Sequence, residues 1–346
     1  MQPQISIIMP AYNVEKYISV AIKSVINQTI GIEHLEIIII NDASTDKTEE
    51  IIDLFASNFK QIIAVHNKDR IRFPGNLRNQ ALKIATGECI MFLDSDDIMI
   101  KDSCKKMYES IKKFDSDIIL GTYILLYDEN GRTEPAPFFH QKKYQEPLIN
   151  TNMKELYNKV QPTNDMITVE DLIKNPGPSW NKIYKREFLK KNNITFSENQ
   201  ITGEDYIFNH KCLLAADKIS YIPIYLCYYR RRSDTSNPSI TQTFTTEIIK
   251  AVFNQKIETS ALYRNTPYPY DKLTNYYFLS LFYYKIIERK NNPTAELKRI
   301  FEDINPYLHM FNLEDTTLAS HARILFKYIY FSKYDEAIKH ITAKSN

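Results

Sequence analysis

The chain has 346 residues, enough for one large core or for a core domain with an appendage. Hydrophobic residues make up 43%, charged residues 25%, and the formal net charge is +2, a balance that disfavours both disorder and a charge-built nucleic-acid surface. No uncharged apolar run approaches the ~20 residues a bilayer-crossing helix needs, and Cys89, Cys104, Cys212 and Cys227 lack metal-ligand spacing. Met1–Gln4 leads straight into a strand-like run, so no signal peptide is expected, and reduced thiols in a cytoplasmic protein are the expectation.

ISIIM (5–9) is a short apolar strand, and YNVEKYISVAIKSVINQT after it carries a helical stripe of Tyr17, Ala21, Ile22, Val25 and Ile26. LEIIIIND (35–42) predicts a second strand, whose unbroken apolar run suits a parallel sheet covered on both faces. Ser44, Thr45 and Asp46 are placed to cap the next helix, TEEIIDLFASNF. IIAV (62–65) is a third strand, NLRNQALKIATG a helix ending at Gly87, and CIMFL (89–93) a fourth strand. A helix over 101–113 and the strand SDIILGTYILLY follow. Strands alternating with helices of about three turns define the α/β class with right-handed crossovers. Ligands of such sheets collect outside the C-terminal strand ends. That rule places Pro10–Asn13, Asn41–Asp42, His66–Asn67 and Asp94–Asp97 along one rim, the expected cleft.

The pattern changes from about 128 to 235. DENGRTEPAPFF is a turn-rich link, 141–175 reads as mixed and partly helical, and NPGPSWNKIYKREFLKKNNITF holds the single Trp. A helix is expected after Gly203, in TGEDYIFNHKCLLAADKI. The last hundred or so residues are helical in pattern, with Leu273–Glu288, Ala295–Ile304 and Leu318–Ile341 as examples, and form a C-terminal helical module. The aromatic helix NYYFLSLFYYKIIERK suits a bundle interior, an oligomer contact or a membrane surface.

The stretch IMFLDSDDIM carries the sharpest chemical signal. Asp94, Asp96 and Asp97 place three carboxylates within four positions at the exit of an apolar strand. Either a polar turn or a divalent cation holding a polyphosphate would stabilise them there. Hard cations such as Mg²⁺ and Mn²⁺ take oxygen ligands and need only one or two carboxylates when phosphates supply the rest. Asp94 and Asp96 would point oppositely in an extended strand, so a turn must orient them for different tasks. Asp97 is expected to cap the helix that begins near Lys101. Dinucleotide and P-loop sites are disfavoured, because PAYNVEKY after the first strand has no glycine and no GxxxxGK occurs.

Taken in order, SIIMPAYNVEKYI, QT, EIIIINDASTDKT, LRNQAL, TGECIMFLDSDD, WNKIYKREFL and TGEDYIFN resemble the family 2 inverting glycosyltransferases of the GT-A fold, over residues 5 to about 235. The resemblance implies a mostly parallel central sheet followed by the helical module. It implies a nucleotide-sugar-binding half at 1–127, an acceptor-binding half at 128–238 and the C-terminal module at 239–346. It also implies transfer of a hexosyl or N-acetylhexosaminyl group from a UDP-sugar to a hydroxyl of a glycan or lipid-linked glycan, with Mn²⁺ or Mg²⁺ as cofactor. Bacterial surface polysaccharide synthesis is the implied setting, with membrane-surface association or homo-oligomerisation through the C-terminal helices. By motif, Pro10, Tyr12 and Asn13 line the base pocket, and Asp42 contacts uracil or ribose. Asp94, Ser95 and Asp96 form the DxD motif with Asp96 on the metal, Arg78 helps hold the donor, and Asp205 is the catalytic base. Arg230–Arg232 is either a diphosphate contact or a solvated patch, and Trp180 either stacks on a sugar face or fills the core. NKDRIRFPGNLRNQAL departs from the family's glycine-paired pattern, which bears on Arg78 but not on the carboxylates. The rival readings are a catalytically silent nucleotide-binding partner protein and a metal-dependent sugar nucleotidyltransferase.

Overall fold

The structure, a computed structural model, describes residues 2–136, 145–158, 167–233 and 245–343. Part of the mixed 141–175 segment and the boundary expected at 238–239 lie outside the described residues. Met1–Leu172 with Pro176–Ile240 form one compact unit, and Ile173–Asn175 with Thr241–Asn346 a second.

The strands of the first unit are β1 (Ile5–Ala11), β2 (Leu35–Asn41), β3 (Ile62–His66), β4 (Cys89–Phe92), β5 (Ile98–Met99), β6 (Ile118–Tyr127), β7 (Thr133–Pro135), β8 (Leu148–Thr151), β9 (Lys182–Lys185) and β10 (Ile219–Arg231). They make one sheet in the order β3-β2-β1-β4-β9-β6-β10-β5, with β7 on β6 and β8 on β10. Strands β3, β2, β1 and β4 run parallel, as β6 and β10 do, and β9 lies antiparallel between β4 and β6. The expected GT-A architecture is therefore present. The helices are α1 (Ile18–Ile26), α2 (Thr48–Asn58), α3 (Pro74–Ile84), α4 (Ser103–Phe114), α5 (Met153–Asn158), α6 (Val169–Lys174), α7 (Arg186–Lys191) and α8 (Glu204–Ala215).

The physical reasons are local. Every residue of β2 is buried, which its apolar run requires. Its one acid, Glu36, is satisfied there by the Ser6 hydroxyl at 2.5 Å and by Thr86 N–H and Oγ1 at 2.8 and 2.6 Å. Helix α1 buries Ile18, Ala21, Ile22 and Val25, one face at helical spacing. Helix α3 stops at Ile84 rather than Gly87, because Ala85 is already extended. The cap position of α2 is Lys47 rather than one of Ser44, Thr45 or Asp46: Asp46 accepts the Thr48 N–H at 3.0 Å from one residue further out, while the Ser44 hydroxyl accepts the Asn13 N–H at 3.0 Å and ties two loops of the rim together.

Beneath the rim lies an aromatic cluster. Phe92, the last residue of β4, meets Tyr184, Phe196 and Phe208 edge-on at 5.8, 5.2 and 5.8 Å, and Phe196 stacks on Phe208 at 3.9 Å. This cluster joins β4, which leads into the acidic turn, to β9 and to α8, which carries Glu204 and Asp205.

In the second unit, α9 (Thr246–Tyr263) is capped by the Thr245 side chain and is followed by α10 (Tyr270–Ile287), α11 (Thr294–Ile304), α12 (Ser320–Tyr330) and α13 (Tyr334–Thr342). Its core stacks Phe253 on Phe282 and Tyr307, and buried Lys256 pairs with Asp271 at 2.6 Å beside the Tyr270 ring. No helix among the described residues is long and apolar enough to cross a membrane.

Truncating Phe92 to Ala should cost ~3–5 kcal/mol, the range for emptying a buried aromatic position. Urea unfolding of the two proteins measures it.

Candidate active site

The centre of the rim is Arg78, on the first turns of α3 and only 3% exposed. Its Nη2 meets Asp94 Oδ1 at 2.7 Å, and its Nη1 meets Glu204 Oε1 at 2.7 Å and Asp205 Oδ1 at 3.4 Å. One guanidinium thus joins the strand-end acid to both acids that open α8. Burial alone would lower the Arg78 pKa, but the three carboxylates outweigh it and hold the group charged. The same burial pushes Glu204 up to about 7 and Asp94 up to about 6. The terminal nitrogens of Arg78, the residue expected to help hold the donor, are engaged by three carboxylates of the protein.

Gly203 precedes α8 with φ +81°, a left-handed conformation that costs glycine little, and this kink presents Glu204 and Asp205 at the helix start. Glu204 turns into the protein and is 8% exposed, whereas Asp205 keeps 22% of its side chain open. Asp205 is also held by Ser179, whose hydroxyl donates to Oδ1 at 2.8 Å.

The DSD turn is fixed from both sides. Ser95 donates its hydroxyl to the Pro10 carbonyl at 2.5 Å, tying the turn to the end of β1. Asp96 Oδ2 pairs with Arg232 Nε at 2.7 Å, and its carbonyl accepts from Arg230 Nε at 2.7 Å. Arg230 also pairs with Asp128, and Arg230 and Arg232 both lie 5.1 Å from the Tyr17 ring centre. Of the basic run, Arg230 and Arg232 are therefore bound to the acidic turn rather than spread in solvent. Asp97 does not cap the helix near Lys101. It is fully buried, and its Oδ1 accepts the Arg230 backbone N–H at 2.8 Å. Burial raises its pKa well above the usual carboxylate range.

At the other end of the rim, Tyr12 carries the Arg70 guanidinium 3.6 Å from its ring centre. Asp42 is buried and accepts the Ile71 and Arg72 N–H groups at 2.7 and 2.9 Å. Asn13 Oδ1 accepts the Thr45 N–H at 2.8 Å. Trp180 is 5% exposed and stacks on Tyr229 at 5.3 Å, which makes it a core residue. Ser179, Lys182 and Arg70 were not picked out as site residues from the sequence. A lysine leading directly into the apolar pair of the NKIY stretch is the one available signal.

This geometry, a GT-A sheet with a DSD turn and a GED helix start at one rim, agrees with the comparisons. Residues 6–174 match the sequence profile of Glycosyl transferase family 2. The protein belongs to that family. It is 32% identical over 237 residues to a poly(ribitol-phosphate) beta-glucosyltransferase of Bacillus spizizenii, covering 68% of this chain and 34% of that protein. It is 30% identical over 234 residues to the poly(ribitol-phosphate) beta-N-acetylglucosaminyltransferase TarS of Staphylococcus aureus, covering 68% of this chain and 36% of TarS. The chain thus spans about a third of these relatives. The crystal structure of S. aureus TarS 1–349 in complex with UDP-GlcNAc superposes with a TM-score of 0.73 at 22% identity, covering 98% of this chain and 91% of that one, a likeness of fold.

For a family 2 member the acidic turn has the donor set of a shared metal site. Among the described residues no group of three or more His, Cys, Asp or Glu side chains is arranged to hold a metal ion. Asp96 and Asp94 each direct one carboxylate oxygen to an arginine, and both supply hard oxygen donors. Such a set fits a cation that takes part of its shell from phosphates rather than a closed protein cage.

The raised Glu204 value sets a pH dependence. The native state binds this proton more tightly than the unfolded chain, so the contribution is full below the ordinary carboxylate value of 4.5 and is lost as pH rises through about 7. Glu204→Gln should lack that slope. Urea unfolding at several pH values should show the wild type losing ground to the variant across this interval.

Proposed function

We propose that this chain transfers a hexosyl or N-acetylhexosaminyl group from a UDP-sugar to a hydroxyl of a polyol-phosphate or related surface glycan, inverting the anomeric centre. The observation that carries the reading is the convergence of the DSD turn and Asp205 on one guanidinium, with Asp205 partly open. The acceptor class is supported by the two relatives that act on poly(ribitol-phosphate). The donor class is supported by the UDP-GlcNAc complex of a protein with this fold.

In this reading Asp205 takes the proton from the acceptor hydroxyl as its oxygen attacks the anomeric carbon. The bond from that carbon to the diphosphate breaks with the electron pair going to UDP, so one displacement converts an α-linked donor into a β-linked product. Tyr12 and Asp42, with Pro10 and Asn13 beside them, receive the nucleobase and ribose. Arg78 orients the carboxylates. Asp96, with Asp94 beside it, would hold Mn²⁺ or Mg²⁺, and a bound cation offsets the charge of the leaving diphosphate. Arg232 lies against Asp96 and adds positive charge on the same side of the turn. Such a protein would work at the inner face of the membrane, where lipid-linked acceptors are found.

Asp205→Asn should keep UDP binding and lose at least ~10²-fold in turnover, the scale for removing a positioned base. The measurement is UDP release from UDP-GlcNAc or UDP-glucose with poly(ribitol phosphate) as acceptor. Binding of UDP without turnover by the wild type on any glycan would instead favour the silent partner protein. Pyrophosphate release from a nucleoside triphosphate would favour the nucleotidyltransferase.

Asp96→Ala should abolish the Mn²⁺-dependent part of UDP binding, read by calorimetry with and without EDTA, and leave the thermal midpoint near that of wild type. UDP binding by the wild type that is unchanged in EDTA would remove the metal from this scheme.

A further inference from the structure

The turn over residues 177–182 lies against Asp205. Gly177 has φ +72°, and its carbonyl accepts from Asn209 Nδ2 at 2.6 Å. Lys182 Nζ, buried in the sheet, donates to the Pro178 carbonyl and to Asn181 Oδ1, both at 2.6 Å. Asn181 Nδ2 in turn donates to the Gly121 carbonyl at 3.2 Å, and the Tyr184 hydroxyl lies 3.2 Å from the Ser179 carbonyl. These bonds leave Ser179 fully buried and immobile, with its hydroxyl 2.8 Å and its N–H 3.4 Å from the two Asp205 oxygens.

A buried lysine spending its donors on a turn carbonyl and a neighbouring amide is costly unless the turn must be held. What the turn holds is the Asp205 carboxylate. Arg78 Nη1 lies 3.4 Å from Asp205 Oδ1, and the Ser179 hydroxyl is the shorter contact to the same oxygen, so the two donors together fix where that oxygen sits.

We propose that Ser179 is a positioning residue for Asp205, held in place by Lys182, and that it holds the carboxylate in a single orientation. The inference rests on Asp205 being the base. It adds what sets the geometry of that base: loss of the Ser179 hydroxyl frees the side chain to turn away from the reacting position.

The test compares wild type, Ser179→Ala, Asp205→Asn and the double variant, each confirmed folded by its thermal melt. Turnover is read as UDP release from UDP-GlcNAc or UDP-glucose with poly(ribitol phosphate). Ser179→Ala should lower kcat about tenfold, the scale of one hydrogen bond to a charged group, with donor KM and UDP affinity unchanged. In the Asp205→Asn background the same change should cost nothing more, since its effect passes through the carboxylate. Wild-type kcat in Ser179→Ala would overturn the inference, and so would an equal loss in both backgrounds. Full turnover by Asp205→Asn alone would instead remove the base assignment itself.

Discussion

Three carboxylates around one buried guanidinium is an arrangement that an ordinary core would not keep. Arg78 faces Asp94, Glu204 and Asp205, so the cluster carries more negative than positive charge if all ionise. Burial resolves part of the conflict by raising Glu204 and Asp94, so that one of them can carry a proton near neutral pH. The same cluster ties α3 to the start of α8 across 126 residues of sequence, and both to the acid that follows β4. Replacing such a group by well-packed apolar residues is often neutral or stabilising, whereas removing one partner is not. Its presence is therefore poor evidence for stability and better evidence for a site. Asp94, Glu204 and Asp205 are all anchored directly to this cation.

How much of this is legible in the sequence follows from where each interaction is decided. Strands β1 to β4 announce themselves by short, mostly apolar runs, which are buried throughout in β2 and β4. The antiparallel strand β9 does not, because KIYK alternates and its place between β4 and β6 is settled only by long-range pairing. Asp94, Asp96 and Asp205 are legible as motif residues. The role of Arg78 is not, since its position within α3 says nothing of the three acids brought to it from elsewhere. Asp97 shows the same limit. Local chemistry points to a helix cap, but a backbone N–H from Arg230, 133 residues away, reaches its Oδ1 first.

On the proposed reading, a nucleobase would enter the Tyr12 and Asp42 end of the rim by displacing contacts the protein makes with itself. Arg70 covers the Tyr12 ring, and two backbone N–H groups of the same loop satisfy Asp42. A cation over an exposed ring is worth only ~0.5–1 kcal/mol. A flat nucleobase offers the ring a stack and can offer the carboxylate an N–H donor in return. The left-handed backbone of Arg72, at φ +72°, is strained for a residue with a side chain, and that strain lowers the cost of moving the loop. The run NKDRIRF, which departs from the glycine-rich family pattern, is thus the segment that sets what a nucleotide must displace.

The two arginines at the acidic turn impose a parallel requirement at the diphosphate end. Arg232 neutralises Asp96 and Arg230 grips the turn backbone and Asp128, so the turn is ordered without any ligand. A cation approaching Asp96 alone meets an acid whose charge is already balanced, next to a guanidinium that repels it. A cation arriving with a diphosphate brings the anion to which Arg232 can turn, and the pair is neutralised as a unit. On the proposed reading, affinity for metal and affinity for nucleotide would be coupled through Arg232, equally in both directions. An acidic turn preordered by its own arginines would then favour the complete metal–nucleotide pair over either component alone.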